Sequence, residues 1–169
     1  MILLFPLIGM EFNGLSIRFG QSRAEVEKTL GEPEAVHNSR CYYFDSELAL
    51  DFDKAGGLEF IEFLGGPDSA LRPGLYGQDV FAADADELLA LLSERNGPDI
   101  NDDEAEYGYA LRELSIGLYR EITPADVKAM LLEMGSMNLE SLGGVDVDEE
   151  MKKAHHWAAI GIGRKNYYA

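Results

Sequence analysis

The tightest constraint on this chain lies between residues 48 and 64. Leu48 to Asp53 and Leu58 to Leu64 are apolar-rich runs of strand length, and only Lys54-Ala-Gly-Gly57 separates them. A parallel crossover needs a dozen residues or more, so a link this short makes the two runs antiparallel neighbours in a hairpin. Leu15 to Phe19, Arg40 to Phe44, Tyr107 to Leu111, Leu114 to Arg120 and Trp157 to Gly163 read as further strands. Spacing of this kind predicts about six to nine strands in a mainly antiparallel sheet.

Two amphipathic helices interrupt the strands. Ser22 opens one that runs to Leu30; Glu25, three residues on, completes a capping box, and Gly31-Glu-Pro33 ends it. Asp84 caps a second that runs to Arg95, with Leu88, Leu89, Leu91 and Leu92 turned inward and Asn96-Gly97-Pro98 as its stop. Thr123-Pro124 starts a third through about Met134, since proline is favoured at the first helical position. A short helix over 148–155 follows, and the stretches 65–74, 99–106 and 135–146 read as loops. The fold class is α+β: one domain over residues 1–169, its antiparallel sheet carrying two or three helices on one face. A helix–strand–strand pattern occurs twice. The helix at 22–30 precedes Tyr43 and Leu48-x-Leu50-x-Phe52, and the helix at 84–95 precedes Tyr109 and Leu114-x-Ile116-x-Leu118. The final helix and strand form a partial third unit.

The apolar start, Met1 to Met10, lacks the basic region and small-residue cleavage site of a signal peptide and is too short to span a bilayer. It reads as a leading strand, or else the chain proper begins at Met10.

Charge narrows the partners. The net charge is −17, from 31 acidic and 14 basic residues. Such a surface repels nucleic-acid phosphates and anionic membranes and suits a basic protein. The one cysteine, Cys41, can form no intrachain disulfide. Lodged beside Tyr42 and Tyr43 in an apolar run, it reads as a buried structural thiol in a reducing, cytoplasmic setting.

No residue set reads as catalytic, metal-binding or cofactor-binding. His155 and His156 are adjacent, so on a helix they point about 100° apart and cannot chelate together. The run from Asp99 to Ala110 resembles a calcium loop, but Glu104 stands where glycine is needed and Ala110 where glutamate is needed. It reads instead as a solvated acidic loop. Asp99, Asp102, Asp103, Glu104 and Glu106 are then the best candidates for meeting a basic partner. Gly161-Ile-Gly163 with Arg164-Lys165 lacks the third glycine and the following helix of a phosphate turn, and reads as a strand of small residues onto which something packs. Asp51, Asp53, Glu59 and Glu62 read as exposed strand carboxylates. Tyr167-Tyr168 is a candidate interface pair.

The stretch Phe19-Gly-Gln-Ser-Arg-Ala-Glu-Val-Glu-Lys-Thr-Leu-Gly-Glu-Pro33, with Cys41-Tyr-Tyr-Phe44 and Leu50-Asp-Phe-Asp-Lys54, resembles the helix-plus-hairpin unit of the β-lactamase-inhibitor-protein-like group, shared with small bacterial outer-membrane assembly lipoproteins. The likeness lies within residues 19–54, and no lipobox, disulfide pair or export signal accompanies it. It implies a fold and a habit of binding proteins, not a particular partner. In size, acidity and lack of motifs the chain is also similar in type to bacterial toxin-immunity proteins. The functional expectation is a non-enzymatic binding or inhibitory module, most concretely an immunity protein that neutralises a basic toxin. The alternatives are a homodimeric structural or assembly factor and a small enzyme without a recognisable motif.

Overall fold

The computed structural model describes residues 1–135 and 146–169, and in it the hairpin at 48–64 is part of a sheet of eight strands. In chain order the elements are β1 (Ile2–Phe5), β2 (Gly9–Phe12), β3 (Leu15–Arg18), α1 (Arg23–Leu30), β4 (Ala35–His37), β5 (Arg40–Tyr43), β6 (Leu48–Phe52) and β7 (Leu58–Phe63). A 3₁₀ turn at Gly66–Asp68 leads to β8 (Pro73–Leu75), β9 (Gln78–Asp79), α2 (Ala85–Asn96), β10 (Ile100–Asn101), β11 (Gly108–Leu111) and β12 (Ile116–Tyr119). Then come α3 (Pro124–Gly135), α4 (Val147–Ala154) and β13 (Ala159–Gly163). The loop expected at 135–146 falls almost wholly outside the described residues.

The α+β class and the antiparallel character hold, but the strand content is larger than expected. Among the described residues thirteen strands form two sheets, and the four helices lie where the sequence places them. The surplus has two sources. β4, β8, β9 and β10 are two or three residues long and exist only through pairing, too short to show an alternation. The first eighteen residues form a three-strand meander, β1 to β3, that founds the second sheet, ordered β3-β2-β1-β8-β9. Ile2 and Leu4 are core residues, so the leading-strand reading applies and the fold does not begin at Met10. β1 and β8 are the one parallel pair among the described strands. At Gly9 the backbone has φ +140°, and a Cβ there would lie 2.1 Å from the Ile17 carbonyl oxygen, so β2 meets β3 at a distance only glycine allows.

The helix starts are as the capping chemistry requires. Ser22 and Glu25 exchange hydrogen bonds in a full capping box, and the Asp84 carboxylate accepts from the Asp86 and Glu87 amides. Thr123 and Asp126 make the same reciprocal contact ahead of α3. Val26, Leu88 and Leu92 from α1 and α2 join one apolar cluster with Ile2, Met10 and Ile17 of the small sheet and Leu48, Leu50, Ile61 and Phe63 of the large one. The two helices and the small sheet therefore share the inner side of the large sheet. Leu89 and Leu91, expected inward with their neighbours, are only partly buried against the cluster.

The large sheet runs β10-β11-β12-β13-β7-β6-β5-β4, every pair antiparallel. It is two four-strand meanders, β4–β7 and β10–β13, each preceded by a helix and joined where β13 pairs with β7. The helix–strand–strand echo in the sequence falls on these two halves. Trp157, fully buried, locks the second half: its Nε1 donates to the Ala85 carbonyl at 2.9 Å, and its ring meets Tyr109 edge-on. Arg120, 4% exposed, lies over the same indole and donates to the Glu106 and Ala154 carbonyls.

Candidate functional site

Strand pairing decides what the outer face of the large sheet presents. Side chains of directly paired residues point to the same side. Leu118, Ile160, Phe63 and Leu48 point into the core, so the pairs Gly117–Gly161, Ala110–Gly117, Gly108–Tyr119 and Tyr119–Ala159 face outward. Apart from Tyr119, these positions are all glycine or alanine, and a groove of about 360 Å³ lies over them.

The walls of the groove are aromatic. Tyr119 projects from β12 and is 46% exposed. Tyr168 comes from the segment after β13, which turns back over the sheet. The Ser115 hydroxyl donates to the Arg164 carbonyl, the Arg164 amide donates to the Glu59 carbonyl, and the Arg164 guanidinium pairs with Asp53 and Glu59. Tyr167 then stacks on Phe60 with ring centres 4.4 Å apart. The Tyr168 hydroxyl rests where a Cβ on Gly117 would be, 2.1 Å from that position. Gly161-Ile-Gly163 was expected to be a strand onto which something packs, and the two tyrosines do so. They are held within the chain and not presented as a free interface pair, although Tyr167 stays 37% exposed. Burial, with Tyr167 and Glu62 nearby, pushes the Tyr168 phenol well above its ordinary range, so it is a neutral donor at physiological pH.

The rim is acidic, and the expected loop supplies part of it. Asp103 and Glu104 line the groove with Asn101, which donates to Asp103 through Nδ2 at 3.1 Å. The other three candidates have different roles. Asp99 pairs with Arg112 at 3.3 Å. Asp102 is exposed, and its carbonyl accepts from the Ala105 amide. Glu106 works through its backbone, its amide donating to the Tyr109 hydroxyl and its carbonyl accepting from Arg120. Glu62 completes the rim from β7, and nothing local in the sequence marks it for that role. It shares Arg40 with Asp51, and Arg40 also lies 5.4 Å from the Tyr42 ring centre. The strand carboxylates read as simply exposed are therefore ion-paired: Asp51 and Glu62 with Arg40, Asp53 and Glu59 with Arg164. Among the described residues no cation pairs with Asp103 or Glu104.

His155 lies 3.4 Å from an Asp84 oxygen and His156 contacts the Lys152 carbonyl, so the two rings diverge as expected. No group of metal-ligating side chains converges among the described residues, and none of their helices is long and apolar enough to cross a membrane. Cys41 is buried, and burial raises its thiol pKa. No family model, curated protein or solved structure matches the chain.

Proposed function

We propose that this chain is a non-enzymatic protein-binding module for a basic partner, and that the partner docks at the groove on the outer face of the large sheet. An immunity protein that neutralises a basic toxin is the concrete form of this reading, the docked protein covering the toxin's cationic site sterically and electrostatically. One observation carries it: Asp103 and Glu104 line a groove over the glycines of the sheet, and among the described residues no cation pairs with them, in a chain of net charge −17. A field of that sign speeds encounter with a basic protein, and carboxylates left unpaired at a concave site favour its docking. The likeness of residues 19–54 to a unit with a binding habit points the same way. The test is association with any basic protein that a neighbouring gene encodes, followed at low and high salt. Asp102→Asn, Asp103→Asn and Glu104→Gln together should slow association about tenfold, and added salt should slow the unsubstituted protein similarly. A rate and affinity that ignore both changes would end this reading.

A second reading, a homodimeric assembly factor, draws on a different surface. Phe5, Ile8 and Leu15 are 40%, 53% and 54% exposed near the open edge strand β3, beside a small cavity of about 240 Å³. An unpaired edge flanked by apolar side chains is a site for pairing with a second copy. A mass that doubles with protein concentration, and does not after Leu15→Lys, would favour it.

A further inference from the structure

Resting on the reading of the groove as a seat for a basic partner, we infer that the group it accepts is the guanidinium of an arginine, not the ammonium of a lysine. Three features of the groove converge on a planar cation. The floor is low, because Gly117 and Gly161 pair directly with Ala110 beside them, and the edges of Tyr168 and Phe60 rest on the two glycines. The walls are tyrosine rings, with Tyr119 well exposed and Tyr168 bent over the glycines. The rim carries carboxylates on two sides, Glu62 from β7 and Asp103 and Glu104 from the loop before β11. The volume, about 360 Å³, sits at the lower end for ligand pockets and fits one long side chain with its flanking backbone better than a cofactor.

A lysine ammonium is a compact, strongly hydrated point charge, and it would use only the carboxylates. A guanidinium is planar and weakly hydrated. It can stack on the exposed Tyr119 ring and meet a carboxylate edge-on through two parallel N–H bonds. The chain itself places arginines in such surroundings. On the same outer face Arg40 bridges Asp51 and Glu62 with its guanidinium carbon 5.4 Å from the Tyr42 ring centre. Arg95 lies 4.2 Å from the centre of Tyr76. The groove likewise brings Asp103, Glu104 and Tyr119 into one lining, and among the described residues no arginine pairs with those two carboxylates.

The experiment is an amide NMR titration of the full chain at physiological salt with two short peptides of equal length and charge, one of alternating arginine and glycine, the other of lysine and glycine. The arginine peptide should shift the amides of Gly108, Gly117 and Gly161 and bind about fivefold more tightly than the lysine peptide, the size expected of a stacking contribution. Asp103→Asn with Glu104→Gln should weaken it about tenfold. Ala110→Leu, which fills the floor while keeping every charge, should abolish the localised shifts; Tyr119→Ala, at an exposed wall, does the same job should the leucine variant not fold. Equal binding of both peptides at these glycines overturns the choice of arginine and leaves the basic-partner reading standing. Shifts scattered over the surface and insensitive to the floor and wall variants overturn the seat. If neither peptide binds even at low salt, both this inference and the reading it rests on fall.

Discussion

Tyr43 carries a local cost of this fold. Its ring is 2% exposed on the inner side of β5, and its hydroxyl is buried with no hydrogen-bond partner among the described residues. Burial, with Cys41 and Glu27 close by, pushes that phenol up to about 12. A buried hydroxyl left unpaired costs about 1–3 kcal/mol, whereas phenylalanine fills nearly the same volume with nothing to satisfy. Tyr43→Phe should therefore leave stability unchanged or raise it by about 1 kcal/mol in urea denaturation. A loss of that size would mean the hydroxyl is well satisfied in solution. Tyr42, its neighbour on the strand, points the other way beside Arg40, as strand alternation requires.

At the scale of elements, the segment after β13 and the strands beneath it are matched in shape. The Tyr168 hydroxyl occupies the place of a Gly117 Cβ, so Gly117→Ala must push the tyrosine off the sheet. That substitution should cost about 1–3 kcal/mol by overpacking, yet almost nothing once Tyr168→Ala has removed the obstacle. Denaturation of the four variants measures the coupling, and an equal cost in both backgrounds would show that the segment does not rest there in solution. Elements with local signals were legible beforehand: the capping box at Ser22–Glu25, the stop at Asn96-Gly97, the glycine turn between β6 and β7. β4, β8, β9 and β10 were not, because two or three residues carry no period and become strands only when a distant partner arrives. The groove was half legible for the same reason. Asp103 and Glu104 stand in one acidic run, but Glu62, Tyr119 and Tyr168 come from three further segments, and only pairing register brings them to one face.

The whole molecule must carry its net charge of −17 while depending on particular carboxylates. Glu25 is held below its ordinary value by the Ser22 hydroxyl and amide, Asp53 by the Gly57 and Ala55 amides and Arg164, and Asp126 by the Thr123 amide and hydroxyl. A carboxyl whose pKa is depressed by folding contributes stability that is full above its unfolded value and is lost as pH falls through the folded one. Self-repulsion has the opposite sign and eases as carboxylates protonate. Melting temperature should therefore hold or rise from pH 7 to about 5, then fall steeply below about 4; at pH 7 added salt should raise it. A melting temperature that falls steadily from pH 7 downward would contradict this balance. The order of the large sheet has one more effect. β13 is the last of the described strands in chain order, yet it lies between β12 and β7 and joins the two halves. As the chain is synthesised, both of those strands leave the ribosome with one edge unpaired, and each must wait for β13. The nascent protein therefore passes through a period in which two bare edges compete for any strand nearby, and that period lasts until β13 emerges.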